Sequence, residues 1–212
     1  MTKLILIRHG ESEANARNVF AGQIDPDLEK KGLEQAKLTA KYIAAEFKVD
    51  KIYSSDLQRA YKTALCLADI TGLEVEKNQN LREIFAGDWE GLTFEQLAEK
   101  YPDDFGVWLN NIGKSRCTDG ESVAELGKRV MEVLTKIAQV NDGKTVAVAT
   151  HATPIRVMQS LVETGGLDEM KNIPWVANAS VSVFEYDGNW KITSLSVDAH
   201  LAELKTVLPK NV

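Results

Sequence analysis

The sequence predicts an α/β fold: a three-layer sandwich with a mostly parallel central sheet, flanking helices and a small helical cap insertion. Three observations carry that prediction. Two continuously apolar runs, Lys3-Leu-Ile-Leu-Ile7 and Thr145-Val-Ala-Val-Ala-Thr150, have the pattern of strands buried on both faces. Segments with apolar residues at helical spacing lie between such runs, and strand–helix alternation builds a parallel sheet covered on both sides. Residues 180–186 and 190–197, joined by Asp187-Gly188-Asn189, read as a closing β-hairpin.

Each element follows in order. After the first run comes a polar loop with Gly22, Asp25, Pro26 and Gly32 as turn formers. Leu33, Ala36, Ala40, Ile43, Ala44 and Phe47 share one helical face. A short strand at 51–54 leads to a second amphipathic helix carrying Leu57, Ala60, Ala64, Leu67 and Ala68, then to a strand at 73–76. Between Gly91 and Gly120 two short, polar helical patterns form an excursion outside the core, a cap insertion at about 92–120. Val123, Leu126, Val130, Val133, Leu134 and Ile137 mark a long helix, and a further helix spans 154–162 after the second buried run. No repeat, low-complexity tract or linker interrupts residues 1–212, so one domain is expected.

Composition narrows the class. With 212 residues, 44% of them hydrophobic, the chain can bury a sizeable core. A net charge of −6 argues against a nucleic-acid or anionic-membrane partner. Nothing approaches the ~18 consecutive apolar residues of a membrane span, and residues 4–7 are too short for a signal-peptide core. Two cysteines, Cys66 and Cys117, make no disulfide framework; they point to buried packing thiols in the cytoplasm.

The chemistry concentrates at strand ends. Of three histidines, His9 follows the first buried run and His151 the second, and carboxyl ends of parallel strands face the binding crevice of such sheets. Arg8, at the end of a buried strand, needs an anionic partner, either a carboxylate such as Glu11 or a bound phosphate. Arg59 stands in the first turn of a helix, where the dipole disfavours a cation; it either pairs with Asp56 or faces an anion in front of the helix. Arg8, Arg59, Asn15 and two imidazoles can surround one tetrahedral dianion. His200 has no motif around it and reads as a surface or capping residue.

These residues resemble the histidine phosphatase superfamily, in its phosphoglycerate-mutase-like branch. The Arg-His-Gly-Glu-Ser-x-x-Asn signature stands at 8–15, a second block at 55–64, Glu83 with Gly87-Asp88-Trp89-Glu90-Gly91 in the acid loop, Asp119-Gly120-Glu121-Ser122 before the long helix, and His151 last. The resemblance implies that neutral His9 attacks phosphorus and forms a phosphohistidine. Arg8, Arg59 and His151 would stabilise the transferring phosphoryl group, Asn15 and the Ala152 N–H would help bind phosphate, and Glu83 would serve as acid and then base. Glu83 could instead pair with Arg82. Ala21, Gly22 and Gln23 would contact substrate.

The resemblance also implies that no cofactor and no metal are needed; consistently, no His-x-His, His-Glu-x-x-His or Cys-x-x-Cys spacing occurs. Cysteine phosphatase chemistry is excluded because the positions six after Cys66 and Cys117 hold Gly72 and Val123.

Relatives include mutases and hydrolases. Mutases hold a second anion with an arginine pair in the cap; here the cap has Lys100, Lys114 and Arg116 against five acidic residues. Mutases also carry Glu-Arg-His-Tyr where this chain has Glu83-Ile84-Phe85-Ala86, and Ser/Thr-Gly-Trp where it has Ala21-Gly22-Gln23. The expectation is a phosphomonoester hydrolase acting on a small phosphorylated metabolite. The alternative is a cofactor-dependent phosphoglycerate mutase, and a non-catalytic phosphate-binding module is disfavoured because every catalytic position is filled. Trp89 is expected to pack under the acid loop, whereas Tyr101, Phe105 and Trp108 either pack the cap or line the pocket. The oligomeric state stays open, a homodimer included.

Overall fold

Leu4 and Leu6 of strand β1 (Thr2–Arg8) join one apolar cluster, Ile5 and Ile7 another, and all four are buried. A strand with two apolar faces needs helices on both. In the computed structural model, which describes residues 1–206, the chain supplies them in two pairs. Following β1 come α1 (Glu13–Ala16), α2 (Lys30–Glu46), β2 (Lys51–Ser54), α3 (Gln58–Thr71) and β3 (Val75–Lys77). The second half runs α4 (Phe94–Lys100), α5 (Pro102–Asn111), α6 (Val123–Val140), β4 (Thr145–Thr150), α7 (Ala152–Thr164) and the hairpin β5 (Val181–Tyr186) and β6 (Trp190–Val197). Helices α2 and α3 pack Ala40, Ile43, Ala64 and Leu67 on the Ile5/Ile7 face; α6 and α7 pack Leu126, Val130, Ile155 and Met158 on the Leu4/Leu6 face.

The six strands are ordered β3-β2-β4-β1-β5-β6. From β3 to β1 they are parallel, and β5 and β6 are antiparallel additions. From β1 the chain passes to β2 on one side, and from β4 to β5 on the other. A crevice therefore opens between the carboxyl ends of β1 and β4.

Several local expectations need correction. Leu33 is 37% exposed, and Phe47 lies just past the end of α2. The helix after the second buried strand starts at Ala152 rather than 154, and β3 sits two residues later than its apolar pattern suggests. Residues 91–120 do not stand outside the core. Leu97, Phe105, Trp108 and Ile112 join the cluster on the Leu4/Leu6 face, through Trp89 and Phe20, whose rings pack edge to face at 5.5 Å. Their polar sequence hid this, because a few aromatic rings supply most of the contact area. Cys117 is buried but Cys66 only half so. His200 is half-buried: it stacks on Tyr42 with ring centroids 4.6 Å apart and hydrogen-bonds Thr39 Oγ1 at 2.9 Å.

Candidate active site

Strand register brings the two histidines together. Arg8 of β1 lies opposite Thr150 of β4, so the next residues, His9 and His151, leave the sheet side by side. Their ring centroids are 5.1 Å apart with the planes inclined at 62°. The loop beyond His9 lies against the start of α2, where a Cβ on Gly10 would overlap the Gly32 carbonyl oxygen. Only glycine lets the backbone pass this closely. The His9 Nδ1–H donates to the Gly10 carbonyl at 2.7 Å, which leaves the Nε2 lone pair free. From the other side, the Ala179 N–H and Asn178 Nδ2 both donate to the His9 carbonyl, at 3.1 and 3.2 Å. Ala179 holds φ at +56°, a conformation that L-residues rarely adopt, and so stores strain directly beside His9.

Two guanidiniums flank this pair. Arg8 donates through Nη1 to the Val176 carbonyl at 2.6 Å, while its buried Nε has no partner. Arg59 is 1% exposed and donates to the Ile24 and Gly22 carbonyls, both at 2.8 Å; Gly22 meets it with φ at +51°. Among the described residues neither guanidinium forms an ion pair. The carboxylates that sequence offered them are taken: Asp56 by Arg82 at 2.6 Å and Glu11 by Lys31 at 3.0 Å. Buried cations without counter-ions are costly unless an anion completes the site.

Burial, reinforced by the charges of Arg59 and Arg8, holds the His9 imidazole well below its ordinary range, so it is neutral near pH 7. Burial does the same to His151, helped by Arg59 and His9. Arg8 is pulled down to about 10 by burial and remains cationic at neutral pH.

A cavity of about 150 Å³ opens here, lined by Arg8, His9, Asn15, Arg59, Glu83 and Ala152, with Ala21 and Gly22 at its edge. Glu83 accepts from the Ile84 N–H at 2.8 Å and from the Thr153 N–H, at the start of α7, at 3.3 Å. His151 is fully buried behind His9, with Nε2 against Ser55 Oγ at 2.9 Å and Nδ1 unpartnered. Gln23 does not line the cavity; its amide donates to the Glu83 carbonyl at 3.1 Å and accepts from Arg82. Among the described residues no three His, Cys, Asp or Glu side chains cluster as metal ligands.

Three side chains of the site escaped sequence reasoning. Asn178 lines the cavity and holds both His9 and Asn15, the latter through its Oδ1 at 3.1 Å. Arg129 of α6 donates to the Asn80, Arg82 and Glu83 carbonyls and pairs with Glu121 at 2.7 Å, clamping the strand of chain that carries Glu83. Trp175 forms part of the outer wall. The Asn178-Ala179-Ser180 stretch just before a strand was the only visible signal, and it is too common to single out.

A family model described as histidine phosphatase superfamily, branch 1, matches residues 4–198. The chain is 39% identical over 205 residues to phosphoserine phosphatase 1 of Hydrogenobacter thermophilus, covering 96% of each chain. It is 33% identical over 207 residues to a metal-independent phosphoserine phosphatase of Arabidopsis thaliana, covering 96% of this chain and 85% of that one. A solved structure of a mutant phosphoserine phosphatase from Entamoeba histolytica in complex with phosphoserine superposes with a TM-score of 0.83 at 30% identity, over 95% of this chain and 100% of that one.

Proposed function

Because the chain belongs to the histidine phosphatase superfamily, we propose that this cavity hydrolyses phosphomonoesters of small metabolites through a phosphohistidine at His9. The observation that carries it is the pair of buried, unpaired guanidiniums, Arg8 and Arg59, around an imidazole kept neutral with its Nε2 free. In the first step the Nε2 lone pair bonds phosphorus, the ester P–O bond breaks, and Glu83 gives its proton to the leaving oxygen. In the second, Glu83 takes a proton from water, the resulting hydroxide attacks phosphorus, the P–N bond breaks, and inorganic phosphate leaves. Arg8 and Arg59, with Asn15 and the Ala152 N–H, hold the phosphoryl oxygens as charge shifts among them, while His151, which does not line the cavity, packs against the His9 ring. Fixed cations do this work, so neither step calls for a metal ion.

Hydrolysis fits better than isomerisation because, among the described residues, Arg8 and Arg59 are the only Arg or Lys side chains that line the cavity. A mutase must keep a second anionic group in place while it reorients, and an unpaired buried anion is costly. Ala21 and Gly22 contact substrate at the cavity edge, while Gln23 acts through the Glu83 backbone. Residues 92–120 serve as a cap within a single domain, and Phe94 and Trp108 from it reach the cavity. Among the described residues no helix is long and apolar enough to cross a membrane. The free thiols of Cys66 and Cys117 suit a cytoplasmic setting.

The test is acid-sensitive, base-stable labelling of enzyme dialysed against a chelator, quenched during turnover of a ³²P-phosphomonoester. Label at His9, lost together with at least ~10³-fold of kcat in His9→Ala, is expected. Full activity in His9→Ala, or a rate restored only by added Mg²⁺ or Zn²⁺, refutes the mechanism.

A further inference from the structure

The two ends of the cavity differ in chemistry. The inner end carries Arg8, His9, Arg59 and Glu83. Its outer walls are Val19, Phe20, Phe94, Trp108 and Trp175, and the polar groups among them, Asn15, Asn18 and Asn178, are neutral. The rings form one connected surface: Phe20 meets Trp108 at 5.1 Å and Phe94 at 6.3 Å, and Trp108 meets Trp175 at 6.3 Å. The two Phe20 contacts are edge to face and the two indoles are inclined at 35°, geometries that aromatic pairs favour over a face-to-face sandwich.

A third guanidinium lies close by but is shut away from the cavity. Arg156 is 3% exposed, and its Cζ sits 3.9 Å from the centre of the Trp175 ring. Its Nη2 donates to the Met170 and Ile173 carbonyls, at 3.0 and 2.7 Å. The Trp175 ring thus stands between that charge and the cavity, held there by cation–π attraction. Among the described residues, the wall that a leaving group meets is indole and phenyl surface with no cation in it. Against the described residues of that wall a carboxylate or second phosphate would lose its water and find no charged partner, whereas apolar surface gains by the same desolvation.

We propose that this outer end is an aromatic leaving-group subsite, shaped by Trp108 and Trp175, that selects phosphomonoesters of uncharged, apolar alcohols over those bearing a second anion. The proposal rests on the phosphatase assignment above and goes beyond it. Phosphoserine, the substrate named for relatives, would bring a carboxylate to a wall whose described residues include no cation.

Four alkyl phosphates separate the outcomes. Methyl phosphate is too small to reach the wall and reports the phosphoryl-transfer machinery alone. For 2-phenylethyl phosphate, kcat/KM is expected to exceed that for O-phosphoserine and 3-phosphoglycerate by at least tenfold. Trp175→Ala should bring that ratio below about threefold while turnover of methyl phosphate stays within threefold of wild type, and Trp175→Phe should keep most of the preference. Trp108→Ala should act in the same direction; if this core substitution prevents folding, half-buried Trp175 still decides the matter. Equal or faster turnover of the anionic esters, or a preference that survives Trp175→Ala, overturns the subsite while leaving the phosphatase intact. If none of the esters, methyl phosphate included, is hydrolysed, the phosphatase assignment itself fails and the subsite with it.

Discussion

The carbonyl and the Nδ1–H of His9 are both held, and Asn178, one of the two residues that hold the carbonyl, lies 169 positions away in sequence. Asn178 is 1% exposed and spends both Nδ2 hydrogens, on His9 and on Asn15. Losing two such bonds in a buried site costs about 1–3 kcal/mol, or roughly 5- to 150-fold in an equilibrium or a rate. Asn178→Ala should therefore lower kcat by about ten- to a hundredfold with KM for an alkyl phosphate changed less than threefold. Pre-steady-state quench measures the step affected, which should be phosphoenzyme formation. Wild-type kcat in a folded Asn178→Ala enzyme would remove the residue from this role. Asn15 is legible from sequence as part of a local signature, but its partner is not, because a single asparagine before a strand has many uses.

Helix α6 shows how an element far from the phosphate reaches the chemistry. A capping box between Ser122 and Glu125 starts it, and a buried row from Val123 to Ile137 seats it on the sheet. This rigid placement lets Arg129 fix three successive regions of the acid-loop backbone, ending at the Glu83 carbonyl at 3.3 Å. Lysine lacks the planar fork that spans several acceptors at once. Arg129→Lys should leave Glu83 in place but loosely aimed, so hydrolysis of an alkyl phosphate should fall by about tenfold. An aryl phosphate, whose leaving group needs little protonation, should slow by less than threefold. Glu83→Gln should show the same pattern more strongly. Equal losses on both esters, measured by phosphate release, would mean that Arg129 supports only folding. The apolar spacing of α6 was plain in the sequence; that its one well-placed arginine faces the acid loop depends on how the helix is rotated on the sheet.

For the whole molecule, keeping the histidines neutral links stability to pH. Burial is the first cause of lowered basicity at His9, His151 and His200 alike. The unfolded chain takes up protons near pH 6.5 while the folded chain resists them. Stability from this source is fully present above about pH 6.5 and is lost as pH falls toward the depressed folded values. The two buried histidines, His9 and His151, each contribute a slope of up to ~1.4 kcal/mol per pH unit in that window. Urea denaturation between pH 7 and 5, in phosphate-free buffer, should show stability falling with acid. The His9→Gln/His151→Gln double variant should flatten that fall by up to ~2.7 kcal/mol per pH unit, leaving the share of His200. An unchanged slope in the double variant would show that the two imidazoles are not held neutral by the fold.

The sequence by itself determined the fold class and singled out Arg8, His9, Arg59 and His151 at strand and helix ends as candidate site residues, and the family resemblance added Glu83. It could do so because buried strands have a distinctive apolar pattern and the candidate groups lie in short local blocks that a linear reading sees whole. Tertiary structure alone decided what depends on distant contacts. Strand register set the 5.1 Å meeting of the two imidazoles. Packing turned the polar stretch 91–120 into one wall of the core, shut Arg156 behind Trp175, and directed Asn178 and Arg129 onto backbone carbonyls. The physical reason is that burial and hydrogen bonding are properties of neighbours in space: a side chain's type limits what it can touch, and only the folded chain selects what it does touch.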